Sequence, residues 1–195
     1  MSAPSGAGKT SLVKALLDSV SMLEASVSYT TRPQRPGEQA GVDYIYVSTD
    51  EFESVADASG FLEYAEVFGN FYGTSTALVN EKLKAGIDVI LEIDWQGAQQ
   101  VRDITKDAIS VFILPPSKQV LEERLRARGQ DSDEVIARRM YAAVNEMSHY
   151  VEFDYLVVND DFNIALQELT GLIKSQRLKM SRLHQHQGLI EELLR

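Results

Sequence analysis

One short string constrains the fold of this chain more than any other: "APSGAGKTS", residues 3–11, which leads into an apolar pattern of helical spacing over 10–20. Gly8, Lys9 and Thr10 match the end of the phosphate-loop pattern G-x-x-x-x-G-K-[ST], and Ala3 stands where its first glycine is expected. Backbone N–H groups in such a loop form an anion nest, and the following helix adds its positive N-terminal end. The string therefore predicts a nucleotide phosphate site, rather than a glycine-rich turn that merely precedes a helix.

Two side chains of this loop have expected roles of their own. Lys9 should reach the β- and γ-phosphates of the nucleotide, and the Thr10 hydroxyl should hold Mg²⁺. The residues predicted to bind ATP in the loop are Ser5, Gly6, Ala7, Gly8, Lys9, Thr10 and Ser11.

A strand normally leads into a phosphate loop, but only Met1 and Ser2 precede this one. Because a strand typically has about 5–6 residues, most of the first strand is predicted to be missing. We interpret the chain as shortened, or its start as misassigned. Restoring about eight apolar residues upstream, slightly more than one typical strand, should raise both the melting temperature and the activity.

Composition excludes several classes of protein. The net charge is −10, which argues against a general nucleic-acid or anionic-membrane surface. The sequence has no cysteine, which excludes disulfides and thiolate metal sites, and no apolar run long enough for a transmembrane helix. No stretch resembles a signal peptide, so a cytoplasmic location is expected.

Helical patterns alternate with apolar runs along the chain, which predicts an α/β fold with a parallel sheet flanked by helices. The runs "IDVILEID" (87–94), "ISVFILPP" (109–116) and "YLVVND" (155–160) are typical of strands buried on both faces. The tail over about 162–194 is predicted to be amphipathic helix, mainly facing the core. Its last two turns are expected to suit a homo-oligomer contact.

Two stretches break the alternation, 32–75 and 123–142, and we interpret both as insertions at the ligand-binding edge of the sheet. The second contains "RGQDSDE" between arginine clusters, which suits a hinged lid. The core is then predicted to comprise residues 1–31, 76–122 and 143–195.

Charged residues suggest where the chemistry lies. Glu92 and Asp94 end an apolar strand pattern, two residues apart and so on one face; they either approach Mg²⁺ or only mark the solvent end of the strand. Phosphoryl transfer needs several cations around the moving group, although surface arginines are usually just solvated. The arginines cluster as Arg32 and Arg35; Arg124, Arg126 and Arg128; and Arg138 and Arg139.

Taken together, several strings in chain order resemble guanylate kinase: "SAPSGAGKTSL", "SVSYTTRPQRPGE", "DYIYV", "FLEYAEVFGNFYGTS", "ILEIDWQGAQQVR", "FILPPS", "RLRARGQDSDEVIARRM" and "YLVVNDDF". The resemblance implies the reaction ATP + GMP ⇌ ADP + GDP with Mg²⁺. It also implies a P-loop core, a small mixed α/β insertion over 32–75 that binds GMP, and a helical lid over 123–142.

The resemblance also implies roles for single residues. Guanine would be contacted by Ser28, Glu63, Thr74 and Asp94. The GMP phosphate would be held by Arg32, Arg35, Tyr44 and Tyr72. Arg128 and Arg139 would close over the transferring phosphate, and Asn159 would lie near the ATP base. The expected catalytic set is Lys9, Arg32, Arg128, Arg139 and Asp94, and the expected metal set is Thr10 and Glu92.

Two other functions remain open at this point. Some guanylate-kinase-like domains have lost ATP binding and hold phosphorylated peptides, but that interpretation predicts damage to Lys9 and the lid arginines. A kinase for another nucleoside monophosphate would need the guanine-reading residues disrupted, and Glu63 argues against it. A metal site at His184 and His186 is not favoured, since no further ligand cluster accompanies them.

Overall fold

A computed structural model describes residues 1–67, 69–127, 132–182 and 187–195. Its strands are β1 (Leu23–Ala25), β2 (Ser28–Thr30), β3 (Tyr44–Tyr46), β4 (Phe61–Val67), β5 (Asn70–Ser75), β6 (Asp88–Ile90), β7 (Val111–Leu114) and β8 (Tyr155–Val158). Its helices are α1 (Lys9–Ser19), α2 (Thr49–Asp57), α3 (Thr76–Lys84), α4 (Trp95–Ile104), α5 (Lys118–Ala127), α6 (Asp133–Ser148), α7 (Phe162–Arg177) and α8 (Gln187–Leu193).

Two parallel strand pairs, β1–β6 and β7–β8, form the base of the core. Met1 and Ser2 lie between them. The Met1 amine donates to the Leu91 carbonyl (2.8 Å), and the Ile113 N–H donates to the Ser2 carbonyl (2.8 Å). These two residues therefore bridge the two strand pairs, with Ser2 bonded to β7 in parallel orientation. The phosphate loop follows directly after them, at the centre of the core. The expected effect of an added upstream strand stays a prediction.

Helices α1 and α7 cover this core on one side. Leu12 and Leu16 of α1 and Ala165 and Leu169 of α7 are fully buried in one apolar cluster with Ile113 of β7. A spacing of four residues puts the two apolar positions on one face of each helix, which is why both helices pack against the strands. The predicted α/β fold with flanking helices is confirmed.

A second, mixed sheet has the order β3-β2-β5-β4. Strands β2 and β3 pair in parallel, whereas β5 is antiparallel to both β2 and β4. Stacked aromatic rings fill the space between this sheet and α2, with Phe52 centred 4.6 Å from Phe61 and 5.4 Å from Phe71. Since β2 belongs to this sheet, Ser28 lies beside the strands of the 32–75 stretch. The division into core, insertion and lid stays a prediction.

Helices α5 and α6 flank residues 128–131, which include Arg128 and lie outside the described residues. Leu121 and Leu125 of α5 pack with Ala143 of α6 in a buried cluster. The Ser132 hydroxyl accepts from the Val135 N–H and caps α6 at its start. At the other end of α6, the His149 ring stacks on Trp95, with centroids 3.6 Å apart and planes at 6°. The C-terminal end of α6 is thereby joined to the start of α4.

Three sequence-based expectations need correction. Strand β8 is not buried on both faces, because the consecutive residues Tyr155 and Leu156 point to opposite faces and are 39% and 46% exposed. Within the described part of the chain it pairs only with β7 and is an edge strand. Strand β6 spans 88–90 rather than 87–94. The described residues of the tail form two α-helices, α7 and α8, rather than one. Among the described residues, no helix is both long and apolar enough to cross a membrane.

Candidate active site

The phosphate loop owes its shape to its backbone. Gly6 and Gly8 have φ values of +94° and +95°, a backbone conformation that residues other than glycine rarely adopt. A Cβ at Gly8 would also overlap the side-chain nitrogen of Asn159. Ala3, by contrast, does not have a positive φ. The missing first glycine therefore imposes no backbone strain at that position.

Asn159 holds the loop from the end of β8. Its side-chain N–H donates to the Ala7 backbone carbonyl (2.7 Å), and its backbone carbonyl accepts from the Arg124 guanidinium on α5 (3.0 Å). Asn159 is only 4% exposed, and its Oδ1 has no hydrogen-bond partner within the described chain. The position of Asn159 near the ATP base stays a prediction. What the contacts do establish is that this residue fixes the loop backbone.

Lys9 lies between the loop and the carboxyl end of β6. Its amine is 3.4 Å from the Ile93 carbonyl. Burial lowers the pKa of Lys9 below its usual range, and the nearby carboxylates of Glu92 and Asp94 oppose that shift. Burial is the larger of the two effects, so the charged form of Lys9 is disfavoured on balance, and the neighbouring carboxylates offset this only in part.

Thr10 and Glu92 present oxygen atoms side by side. The Thr10 hydroxyl donates to Glu92 Oε2 over 3.2 Å. Mg²⁺ takes oxygen ligands and is usually bound through one or two carboxylates plus substrate phosphates. Groups of three or more potential metal ligands do not occur among the described residues. The pair therefore fits a Mg²⁺ ion that depends on nucleotide phosphates for most of its coordination.

Glu63 and Thr74 form a buried polar pair on the second sheet. They are register partners on β4 and β5, and the Thr74 hydroxyl donates to Glu63 Oε1 (2.5 Å). Glu63 is 5% exposed and Thr74 is 1% exposed. The pKa of Glu63 is raised to about 7: burial is the main cause, the Thr74 hydrogen bond opposes the rise, and the nearby Asp94 charge adds to it. Glu63 is thus a carboxyl group that titrates near neutral pH.

Asp94 joins the two halves of the site. It caps α4 by accepting from the Gly97 N–H (2.8 Å). A side chain at position 97 would overlap the Glu63 carboxylate. Helix α4 therefore approaches β4 closely enough that Asp94 lies near both Glu63 and Lys9, whose pKa values it influences.

The predicted phosphate clamp, defined as Arg32, Arg35, Tyr44 and Tyr72, is only partly assembled. The Arg32 guanidinium lies 5.3 Å from the centre of the Tyr44 ring, which in turn lies 5.9 Å from the Tyr72 ring. Ser28 is the register partner of Tyr44. Arg35 is exposed, and its backbone makes two contacts with Glu38: its N–H donates to the Glu38 carboxylate, and its carbonyl accepts from the Glu38 N–H.

Sequence reasoning missed two acidic residues of the site. Glu38 accepts hydrogen bonds from Arg32 and Tyr46. Its position in the sequence, between the predicted phosphate ligands Arg35 and Tyr44, could have indicated that it belongs to the site. Glu146 reaches the site from α6, where burial raises its pKa and the charges of Asp94 and Lys9 are close.

The signal for Glu146 was helical spacing, since it lies seven residues after Arg139 and so on the same face. Arg139 is partly buried on α6. Arg128, like His184 and His186, lies outside the described residues.

Comparisons with known proteins agree with this arrangement. The guanylate kinase family model matches residues 1–176. Guanylate kinase of Hahella chejuensis is 60% identical over 181 residues, covering 93% of this chain and 87% of that protein. Guanylate kinase of Methylococcus capsulatus is 58% identical, covering 100% of this chain and 96% of that protein. The crystal structure of guanylate kinase from Anaplasma phagocytophilum superposes with a TM-score of 0.73 at 32% identity, covering 93% of this chain and 86% of that one. On this evidence the chain belongs to the guanylate kinase family.

Proposed function

We propose that this chain transfers the γ-phosphoryl group of ATP to GMP in a Mg²⁺-dependent reaction that yields ADP and GDP. The observation that supports this most is the convergence on Asp94 of two differently built half-sites. One is the phosphate loop with Lys9, and the other is the buried pair of Glu63 and Thr74. An acceptor base and a donor phosphate bound in these half-sites would face each other across Asp94.

On the ATP side, the loop from Ser5 to Ser11 binds the phosphates through its backbone N–H groups. Lys9 compensates their charge, and Thr10 and Glu92 hold the metal ion. Mg²⁺, when bound, neutralises charge that develops on the phosphate oxygens. Glu146 faces Lys9 from α6, so nucleotide phosphates entering the loop meet a carboxylate that repels them or takes up a proton.

On the GMP side, Glu63 reads the base. Guanine presents N1–H and a 2-amino group side by side, and one carboxylate can accept from both. Adenine offers an acceptor at N1 and no 2-amino group, so it would leave a buried carboxylate unpaired. Mismatches of this kind discriminate by about 10⁴ or more.

Thr74 has to change partners when guanine binds. A hydroxyl has one hydrogen to donate, and Thr74 now gives it to Glu63. Donation from Thr74 to guanine O6, alongside Ser28, therefore follows only after guanine has supplied Glu63 with new donors. Base binding and rearrangement of this pair are coupled.

The transferring phosphate is held by cations and neutral donors. Arg32 and Arg35 contribute charge, whereas Tyr44 and Tyr72 donate hydrogen bonds without adding charge. Arg128 and Arg139 of the lid close over the transition state. A general base is not needed, because positioning and charge neutralisation account for most of the catalysis in phosphoryl transfer.

Two alternatives make different predictions. A phosphopeptide-binding module derived from this fold does not need Lys9 beside a Thr10–Glu92 pair, yet both features are formed here. A kinase for another nucleoside monophosphate does not need a buried carboxylate at Glu63. Homo-oligomer formation through α8 stays a prediction.

The direct test is a coupled ADP-release assay on this chain with ATP, Mg²⁺ and each of GMP, AMP, UMP and dTMP. We expect turnover with GMP and at least about 10³-fold lower kcat/KM with the other three, given the mismatch at Glu63. Turnover that favours another acceptor would refute the assignment of the base. Absence of turnover together with calorimetric binding of GMP would favour the binding-module alternative.

A further inference from the structure

The carboxylate of Glu38 lies at the centre of a polar cluster beside the phosphate clamp. Its Oε1 accepts from the Arg32 guanidinium (2.8 Å). Its Oε2 accepts from the Arg35 backbone N–H (2.8 Å) and from the Tyr46 hydroxyl (2.7 Å). Three donors from three parts of one loop-and-strand segment thus meet on a single side chain.

This cluster is sheltered and fully ionised. Arg32 is 9% exposed, and the side chain of Glu38 is 20% exposed. The Arg32 hydrogen bond is the main cause that lowers the pKa of Glu38 to about 2, and the same contact raises the pKa of Arg32. Both partners of the ion pair are therefore charged at neutral pH.

The remaining contacts of Arg32 fix the direction of its guanidinium. One terminal nitrogen donates to the Pro33 carbonyl (2.8 Å), the other donates to Glu38, and the plane lies against the Tyr44 ring. An arginine side chain that is unpaired samples many rotamers, and it loses that freedom when it binds a ligand. Glu38 removes most of this freedom before any ligand arrives.

We propose that Glu38 is a positioning residue for the GMP phosphate: it holds Arg32 towards Tyr44 and Tyr72 and anchors the loop through Arg35 and Tyr46. The proposal rests on the proposed role of Arg32 as a phosphate ligand. It makes Tyr46 a supporting residue that acts through Glu38 and has no contact with the substrate.

A competing interpretation is that Glu38 imitates the phosphate and must leave when GMP binds. The contacts favour positioning. Two of the three donors on Glu38, the Arg35 backbone and Tyr46, are not clamp side-chain groups, and displacing Glu38 would break both of these hydrogen bonds for no gain in contacts with the phosphate. The interpretations predict opposite signs, because removal of a competitor tightens GMP binding whereas removal of a positioning residue weakens it.

The experiment compares Glu38→Gln with the wild-type chain by calorimetry, using GMP and guanosine as ligands. Guanosine has the same base and ribose but no phosphate. We expect the Kd of GMP to rise about tenfold, which corresponds to the loss of one charge-assisted hydrogen bond, and the Kd of guanosine to stay unchanged. In steady-state kinetics, the KM for GMP should rise while the KM for ATP does not.

Two further variants bracket this result. Glu66→Gln removes an exposed carboxylate from β4 of the same sheet and should change neither Kd. Tyr46→Phe removes one donor to Glu38 but keeps the Arg32 ion pair, so it should raise the Kd of GMP only about two- to threefold. If Glu38→Gln does not fold, the Tyr46→Phe measurement with both ligands still decides, because an unchanged ratio of GMP to guanosine affinity would refute the proposal.

Other outcomes overturn it directly. Tighter GMP binding by Glu38→Gln would identify Glu38 as a competitor, and equal losses of GMP and guanosine would reduce it to a structural residue. Arg32→Ala separates this inference from the proposed function. If Arg32→Ala leaves GMP binding intact, the phosphate role of Arg32 fails. If Arg32→Ala weakens GMP binding and Glu38→Gln does not, only the positioning role fails.

Discussion

The two halves proposed for the site, called here the ATP half and the GMP half, are built in different ways. The ATP half is a loop of backbone N–H groups between Met1–Ser2 and α1, shaped by Gly6 and Gly8 and held by Asn159. The GMP half is built from side chains on β2, β3, β4, β5 and the start of α4. A phosphate can be bound by any suitably curved backbone, whereas a particular base needs particular side chains at fixed positions.

This difference decides what each half tolerates. Substitutions in the ATP half should matter only where a side chain carries charge or where added bulk meets a neighbour. In the GMP half, the loss of a single polar group leaves a partner buried and unpaired, which is costly in itself. The two halves should therefore differ in how they respond to matched substitutions.

The largest effect is expected for Lys9→Ala, the one charged side chain of the loop. It should lower kcat by about 10³-fold or more, because a cation on the transferring group is worth that much in phosphoryl transfer. GMP binding measured by calorimetry should be unchanged. Lys14→Ala, on the exposed side of α1, is the matched control. Retained turnover in Lys9→Ala would contradict the phosphate-loop assignment.

The second largest effect is expected for Glu63→Gln. The KM for GMP should rise about 10²-fold, because an amide nitrogen placed against the guanine donors leaves buried groups unpaired. The KM for ATP should change little. Parallel losses for both substrates would show that Glu63 supports the fold and does not read the base.

A smaller effect should follow from pH. Glu63 has a pKa raised to about 7, and only its ionised form can accept from both guanine donors. Binding should therefore weaken as pH falls through 7, by about tenfold between pH 8 and pH 6. Guanosine is the ligand to use, since it lacks a phosphate that itself titrates near pH 6. The same titration of Glu63→Gln should be flat, and a parallel slope there would assign the effect to another group.

The smallest effect is expected for Ala3→Gly, which restores the consensus residue. Since Ala3 does not have a positive φ, kcat/KM for ATP should stay within about twofold of the wild-type value. Gly8→Ala is the contrasting variant, because its φ of +95° and the adjacent Asn159 leave no room for a methyl group. Equal responses of the two variants would disprove the view that the loop depends on local backbone conformation.

The loop and the start of α1 were predictable because their information is local: the string from Ser5 to Thr10 indicates both. That this loop binds nucleotide phosphates stays a prediction. The range found for α1, Lys9–Ser19, agrees with the apolar spacing over 10–20. The prediction for β8 was wrong for the complementary reason, since "YLVV" has the composition of a central strand but the position of an edge strand.

The GMP half depends on contacts between distant residues. Ser28 faces Tyr44 through a parallel pairing, and Glu63 meets Gly97 through the packing of α4 on β4. Spacing in a sequence does not encode either contact, so only the resemblance to a family brought these residues together. It did not bring in Glu38 or Glu146, whose roles arise from how a loop folds back and how α6 lies over the loop.

The stacked rings of Trp95 and His149 have a practical consequence. Trp95 is the single tryptophan of the chain and follows Asp94 directly, while His149 ends the helix that carries Arg139. Any rotation of that helix relative to α4 must separate or slide the two rings. The chain thus carries an intrinsic fluorophore at the contact between the start of α4 and the end of α6, and stopped-flow emission can time any movement of one helix against the other without a label.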